Sequence, residues 1–132
     1  MAKKIGLYVH IPFCIQKCKY CDFHSFCVAG QNPEQYVACL LREMEQVSRI
    51  MQDYQVDTIY LGGGTPSVLA DDQIEKISEK IQCCFSVDPQ AEFTMEVNPG
   101  TVTFQGLKRY RACGINRLSM GVQSLNDSLL ET

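Results

Sequence analysis

Residues 56–81 read VDTIYLGGGTPSVLADDQIEKISEKI, a stretch that holds one complete strand, turn and helix. Val56 to Leu61 is a short apolar run of strand-like composition. Gly62-Gly63-Gly64-Thr65-Pro66 follows as a turn, and Ile74, Ile77 and Ile81 then recur on one face of a helix behind an N-cap at Asp71 or Asp72. The same alternation extends in both directions. Ile5 to Ile11, Phe93 to Val97 and Arg117 to Met120 are further strand-like runs. Between the first two strands, Tyr36, Leu40, Leu41, Met44, Val47 and Met51 stand at helical spacing, opened by Asn32 as N-cap, Pro33 at the first position and Gln35 three after the cap. A third helix runs from Thr103 to a C-terminal Gly114. The order is therefore β-α-β-α-β-α-β. Strands alternating with helices imply parallel pairing through right-handed crossovers, hence α/β, as a barrel or a doubly wound sheet. The pattern by itself leaves that choice open.

The length of 132 residues fits one small domain or a piece of one. A further helix begins near Asn126 or Asp127 with barely a turn left before Thr132. Four parallel strands ending there would leave an unpaired hydrophobic edge, which complete domains usually cover, so a fragment is expected. The formal charge of -3 and the absence of a Lys/Arg run give no footprint for nucleic acid, which is not an expected partner. Lys3 and Lys4 imitate the start of a signal peptide, but Gly6, His10 and Pro12 interrupt the apolar stretch and no small-residue cleavage site follows. No segment approaches the roughly 20 apolar residues of a membrane-spanning helix, and a cytoplasmic protein is expected. Eight cysteines would suggest disulfides in a secreted domain. Here Cys39, Cys83, Cys84 and Cys113 lie in or beside helical patterns and are expected to be small buried hydrophobes.

Chemistry concentrates where strands end. Cys14-x-x-x-Cys18-x-x-Cys21 directly follows the first strand, and close thiolates on one loop suit an iron-sulfur cluster. Three ligands for four irons leave one iron open to bind a further group, the logic that separates catalytic from structural zinc sites. His24, three after Cys21, leaves a Cys3His zinc module as an alternative on spacing alone. Clustered structural cysteines fit less well, because Lys17, Lys19 and Tyr20 between the thiols indicate an exposed loop. The glycine run lets backbone approach a ligand closely, but it has neither the GxGxxG spacing of a dinucleotide fold nor the GK[ST] of a P-loop. The third strand ends in Glu96-Val97-Asn98-Pro99-Gly100 and the fourth in Ser119-Met120-Gly121-Val122-Gln123-Ser124. Taken singly, Glu96 reads equally as a solvated charge and Gln123 as a loop-capping amide. Their convergence on the C-terminal rim, where barrel folds assemble sites, carries more than any one of them.

Together LYVHIPFCIQKCKYCDF, YLGGGTPS, EVNPGT and RLSMGVQS resemble the radical S-adenosylmethionine (SAM) family that contains oxygen-independent coproporphyrinogen III oxidase, HemN, and the haem chaperone HemW. The resemblance covers nearly the whole chain. It implies that residues 1–132 are the N-terminal part, about four βα units, of a partial TIM barrel truncated at its C-terminal end. It further implies a [4Fe-4S] cluster on Cys14, Cys18 and Cys21, with the amino and carboxylate groups of SAM on the open iron. In that family the reduced cluster would supply the electron that cleaves SAM to methionine and a 5′-deoxyadenosyl radical. Tyr8, Gly63 and Glu96 match contacts of this SAM, and Tyr20, Gly64, Thr65 and Gln123 match contacts of a second SAM in the oxidase. A structural zinc site explains none of the rim motifs. The expected partners are haem or porphyrin, a reductant such as flavodoxin or ferredoxin, and an apo-haemoprotein recipient. Two departures from the oxidase favour the chaperone side: the first strand starts at Ile5 without a long preceding extension, and Asp22-Phe23 stand where the oxidase has a further cysteine. The alternatives thus differ in class, a haem carrier against a decarboxylating oxidoreductase.

Overall fold

The computed structural model describes residues 2–14, 26–27, 30–121 and 126. The elements are β1 (Lys3–Ile11), β2 (Phe13–Cys14), β3 (Phe26–Cys27), α1 (Pro33–Ile50), β4 (Tyr54–Gly63), α2 (Asp71–Cys84), β5 (Ser86–Val97), α3 (Phe104–Ala112) and β6 (Arg117–Met120). β1, β4, β5 and β6 form a four-stranded parallel sheet in that spatial order. β2 and β3 form a separate short parallel pair.

Strand order settles the architecture that the sequence pattern leaves open. Each new strand adds on the same side of the last, and right-handed crossovers then place α1, α2 and α3 on one face of the sheet. A doubly wound sheet reverses direction part-way, whereas a steady march is the path of a barrel wall. Side-chain alternation agrees. Val9, Ile11, Ile59, Leu61, Phe93 and Met95 are buried and pack with Ile74, Ile77 and Ile81 of α2 in one core. The opposite face carries Tyr8, His10, Tyr60, Thr94, Glu96 and Ser119, the residues between them in each strand. One side of the wall is therefore a hydrophobic core, and the other is polar.

Helix ends follow local chemistry. The Gln35 backbone N–H donates to Asn32 Oδ1 at 3.1 Å with Pro33 in the first turn, as the sequence predicts for α1. For α2 the cap lies one or two residues earlier than predicted, at Ala70, whose N–H donates to Gln73 Oε1 at 3.0 Å. Asp71 and Asp72 instead occupy the first helical turn, where acidic groups complement the helix dipole and are free to pair with α3. Arg109 accordingly reaches Glu75 at 2.6 Å, Asp71 at 3.5 Å and also Asp72, clamping α3 to α2. Thr103 Oγ1 caps α3 through the Gly106 N–H at 3.0 Å, and Gly114 takes φ 109° after its end. Ser78, almost fully buried, donates to the Cys113 carbonyl at 2.6 Å, which satisfies the one polar group on the inner face of α2.

β5 starts at Ser86, well before the predicted Phe93. Its pairing with β4 jumps from Val56↔Val87 to Thr58↔Glu92, so Asp88–Ala91 stands outside the ladder, with the Gln90 N–H turned back to Asp88 Oδ1 at 2.8 Å. Pro89 cannot donate a ladder hydrogen bond, which is why only the later half reads as a strand. At the far side of the sheet, Leu118 and Met120 share the helix face with Met95 and Val97 yet remain 39% and 45% exposed. The helix expected from Asn126 or Asp127 lies outside the described residues apart from Asn126 itself.

The expectation of buried cysteines in the helices is corrected. Cys39 and Cys83 are exposed, and Cys84 and Cys113 are half-buried against the core. Helical spacing gives every helix a solvent face as well as a core face, and Val37 and Met44 take the core positions of α1 while Ile77 and Ile81 take those of α2. Among the described residues no helix is long and apolar enough to cross a membrane.

Candidate functional site

The site grows from the C-terminal ends of β1 and β4. β1 leads through Pro12 into Phe13–Cys14, and the glycine run of β4 runs alongside. Gly64 N–H donates to the Ile11 carbonyl at 2.7 Å and Thr65 N–H to the Phe13 carbonyl at 2.6 Å, so the turn after β4 is bonded directly to the segment that carries Cys14. A Cβ on Gly64 would lie 2.5 Å from the Phe13 carbonyl oxygen and 2.9 Å from its nitrogen. Only glycine permits that approach of two backbones. Cys14 is buried, and Thr65 Oγ1 faces its Sγ at 3.9 Å. Gly64→Ala is expected to cost about 1–3 kcal/mol through forced separation of these strands. Gly100→Ala, whose Cβ would meet nothing nearer than Asn98 Oδ1 at 3.5 Å, is the near-neutral control in the same denaturant titration.

Gly63 adopts φ 116°, which strongly favours glycine, and the His10 ring occupies the space where its side chain would stand, 2.7 Å from the Cβ position. His10 Nδ1 is in turn 3.1 Å from the Tyr8 hydroxyl, and the His10 carbonyl accepts from Tyr36 of α1. Tyr8 projects from the polar face, 57% exposed, with its ring nearly parallel to Tyr60 at 18° and a 6.0 Å centroid separation. Across the sheet, Glu96 stands beside Ser119 of β6 and its carboxylate overhangs Gly62. Partial burial and the Glu96 charge raise the Tyr8 phenol above its ordinary value, and burial together with Glu96 does the same to Tyr60. Both phenols therefore stay protonated at neutral pH, available as donors beside a carboxylate.

The rim loops are tied to one another. Ser67, buried just beyond the glycine turn, accepts from the Asn98 backbone N–H at 3.2 Å and bonds to Thr101. The Asn98 side chain accepts from Gly100 N–H at 2.9 Å, closing the turn that follows Glu96. Motifs distant in sequence thus form one continuous rim.

The sequence model of the Radical SAM superfamily matches residues 8–132. The chain belongs to this family. It is 40% identical over 128 residues to the heme chaperone HemW of Escherichia coli (strain K12), a match covering 96% of this chain and 34% of that protein. It is 39% identical over 127 residues to HemW of Bacillus subtilis (strain 168), covering 94% of this chain and 33% of the relative. The chain thus spans about a third of the length of these curated relatives. Among solved structures, the radical SAM enzyme coproporphyrinogen III oxidase (HemN) from Escherichia coli superposes with a TM-score of 0.91 at 33% identity, over 98% of this chain and 30% of that one. The strand order found here is accordingly the wall of a radical SAM partial barrel.

Of the site residues expected from the sequence, Tyr8, Cys14, Gly63, Gly64, Thr65 and Glu96 stand along the ends of β1, β4 and β5. Cys18, Tyr20, Cys21, Gln123 and the zinc alternative's His24 lie outside the described residues. Among the described residues no three His, Cys, Asp or Glu side chains converge on one point. The donor chemistry suits the family's cofactors nonetheless: Cys14 offers a buried soft thiol just after β1, and Glu96 a carboxylate on the polar face near the end of β5. Sequence reasoning missed Tyr60 and Ser119. Period two places Tyr60 on the same strand face as Gly62, but only the register shows which face that is and that Ser119 pairs with Glu96.

Proposed function

We propose that Cys14, Cys18 and Cys21 hold a [4Fe-4S] cluster with SAM bound beside it, and that the protein of which this chain is a part is a haem chaperone of the HemW type. The observation that supports the first part is the seating of Cys14, whose backbone neighbour Phe13 is bonded to Thr65 at the head of the glycine turn, on the same rim as Glu96. When bound, the cluster supplies an electron to SAM. The chain's own residues do the positioning. The glycine turn fixes the start of the cysteine loop, Tyr8 and Gly63 line the floor beside it, and Glu96 offers its carboxylate to the cationic amino group of SAM. Gly64 and Thr65 face the segment carrying Cys14, which favours a role in seating the cysteine loop over contact with a second SAM.

The chaperone reading rests on Asp22-Phe23 after the third cysteine, together with relatives named as haem chaperones at 39–40% identity. The oxidase reading is kept by the 0.91 TM-score to HemN. An anaerobic assay of the full natural gene product with SAM, reductant and coproporphyrinogen III separates the two, run beside a haem titration and transfer to an apo-haemoprotein. Haem binding and transfer without decarboxylation is the expected outcome. Catalytic, SAM-dependent formation of protoporphyrinogen IX overturns the chaperone reading.

A further inference from the structure

The bare Cα of Gly62 is crowded from two directions. A Cβ there would lie 2.6 Å from Glu96 Oε1 and 2.7 Å from Tyr60 Cε1, so a carboxylate oxygen and the edge of a phenol ring meet in the space that glycine leaves. Tyr60 and Gly62 lie two apart on β4, and Ser119 is the cross-strand neighbour of Glu96 on β6. All four residues therefore sit on the polar face of three adjacent strands. Behind Tyr60 the near-parallel ring of Tyr8 restricts its rotation.

We infer that Tyr60, backed by Ser119, is a positioning residue that holds the Glu96 carboxylate over Gly62, aimed at the amino group of the ligand. The inference rests on the SAM site proposed above and adds the device that orients its carboxylate. Electrostatics agree: burial and the neighbouring Glu96 carboxylate raise the Tyr60 phenol above its ordinary value, and Ser119 lowers it. A carboxylate on an open sheet face otherwise samples several rotamers, and fixing one removes an entropic cost from ligand binding.

The test uses the full natural gene product with its cluster reconstituted anaerobically, and two probes in equilibrium dialysis: SAM, and 5′-methylthioadenosine, which lacks the amino acid moiety. Tyr60→Phe is expected to weaken SAM roughly tenfold, the scale of a hydrogen bond to a charged group, and to leave methylthioadenosine and the iron content unchanged. In a Glu96→Gln background the same substitution should add little, because the two residues act as one unit. Ser119→Ala should weaken SAM in the same sense by a smaller factor, and it stands in if Tyr60→Phe does not fold. Equal losses of both probes would mean collapse of the floor and overturn the inference, as would unchanged SAM affinity in Tyr60→Phe alongside a loss in Glu96→Gln. Absence of SAM binding to the wild type would instead overturn the proposed SAM site itself, and the inference with it.

Discussion

Replacing any one of Cys14, Cys18 and Cys21 by alanine is expected to abolish the brown, oxygen-sensitive chromophore formed on anaerobic reconstitution with iron and sulfide. Three thiolates are the full protein ligand set in this assignment, and a cubane left with two exposed irons has too few anchors to persist. The loss should be of the cluster and not of the fold, because the Cys14 segment is held by backbone bonds: Gly64 N–H to the Ile11 carbonyl and Thr65 N–H to the Phe13 carbonyl. Circular dichroism should therefore be retained while iron, sulfide and visible absorbance disappear. Cys83→Ala and Cys84→Ala, on the exposed and half-buried sides of α2, should keep a full complement of iron, as should Cys113→Ala. A colourless wild-type protein with stoichiometric zinc would return the Cys3His alternative.

The second large effect is expected at Glu96. Glu96→Ala should lower SAM affinity by about 10- to 100-fold, the value of a charge-assisted hydrogen bond between carboxylate and ammonium. Cluster assembly should be unaffected. Glu96 comes from β5 and overhangs Gly62, whereas Cys14, the first of the three proposed ligands, follows the end of β1. Parallel measurement of SAM affinity and iron content checks both statements, and loss of iron in Glu96→Ala would place the carboxylate in the cluster site instead.

Much of this was legible before any coordinates. The β-α alternation, the Asn32 cap and the Thr103 to Gly114 helix follow from period and capping chemistry, which act within a few residues. Periodicity alone did not choose between barrel and doubly wound sheet, because strand order is a long-range property that helices of similar length on either face would write identically; the resemblance of the strand-end motifs made that choice, and made it correctly. The early half of β5 was hidden by Pro89 and the excursion of Asp88–Ala91. At the site, the cysteine spacing, glycine run and Glu96 were visible as motifs. The use of the glycines was only half visible: they meet Glu96, His10 and the Phe13 backbone, so they serve packing of the protein against itself as well as room for a ligand. Tyr60 escaped because an aromatic inside an apolar strand reads as core. Only the register with β1 and β5 shows that it faces the polar side with Tyr8 and Glu96.

The central claim is an iron left open by three cysteines and occupied by SAM, and the most direct measurement is the electron paramagnetic resonance spectrum of the dithionite-reduced, reconstituted protein before and after SAM is added. Coordination of the amino and carboxylate groups at one iron must change the g-values and line shape of the reduced cluster. The account predicts that change in the wild type and a right-shifted SAM dependence in Glu96→Ala. A reduced cluster whose spectrum is identical with and without saturating SAM would contradict it.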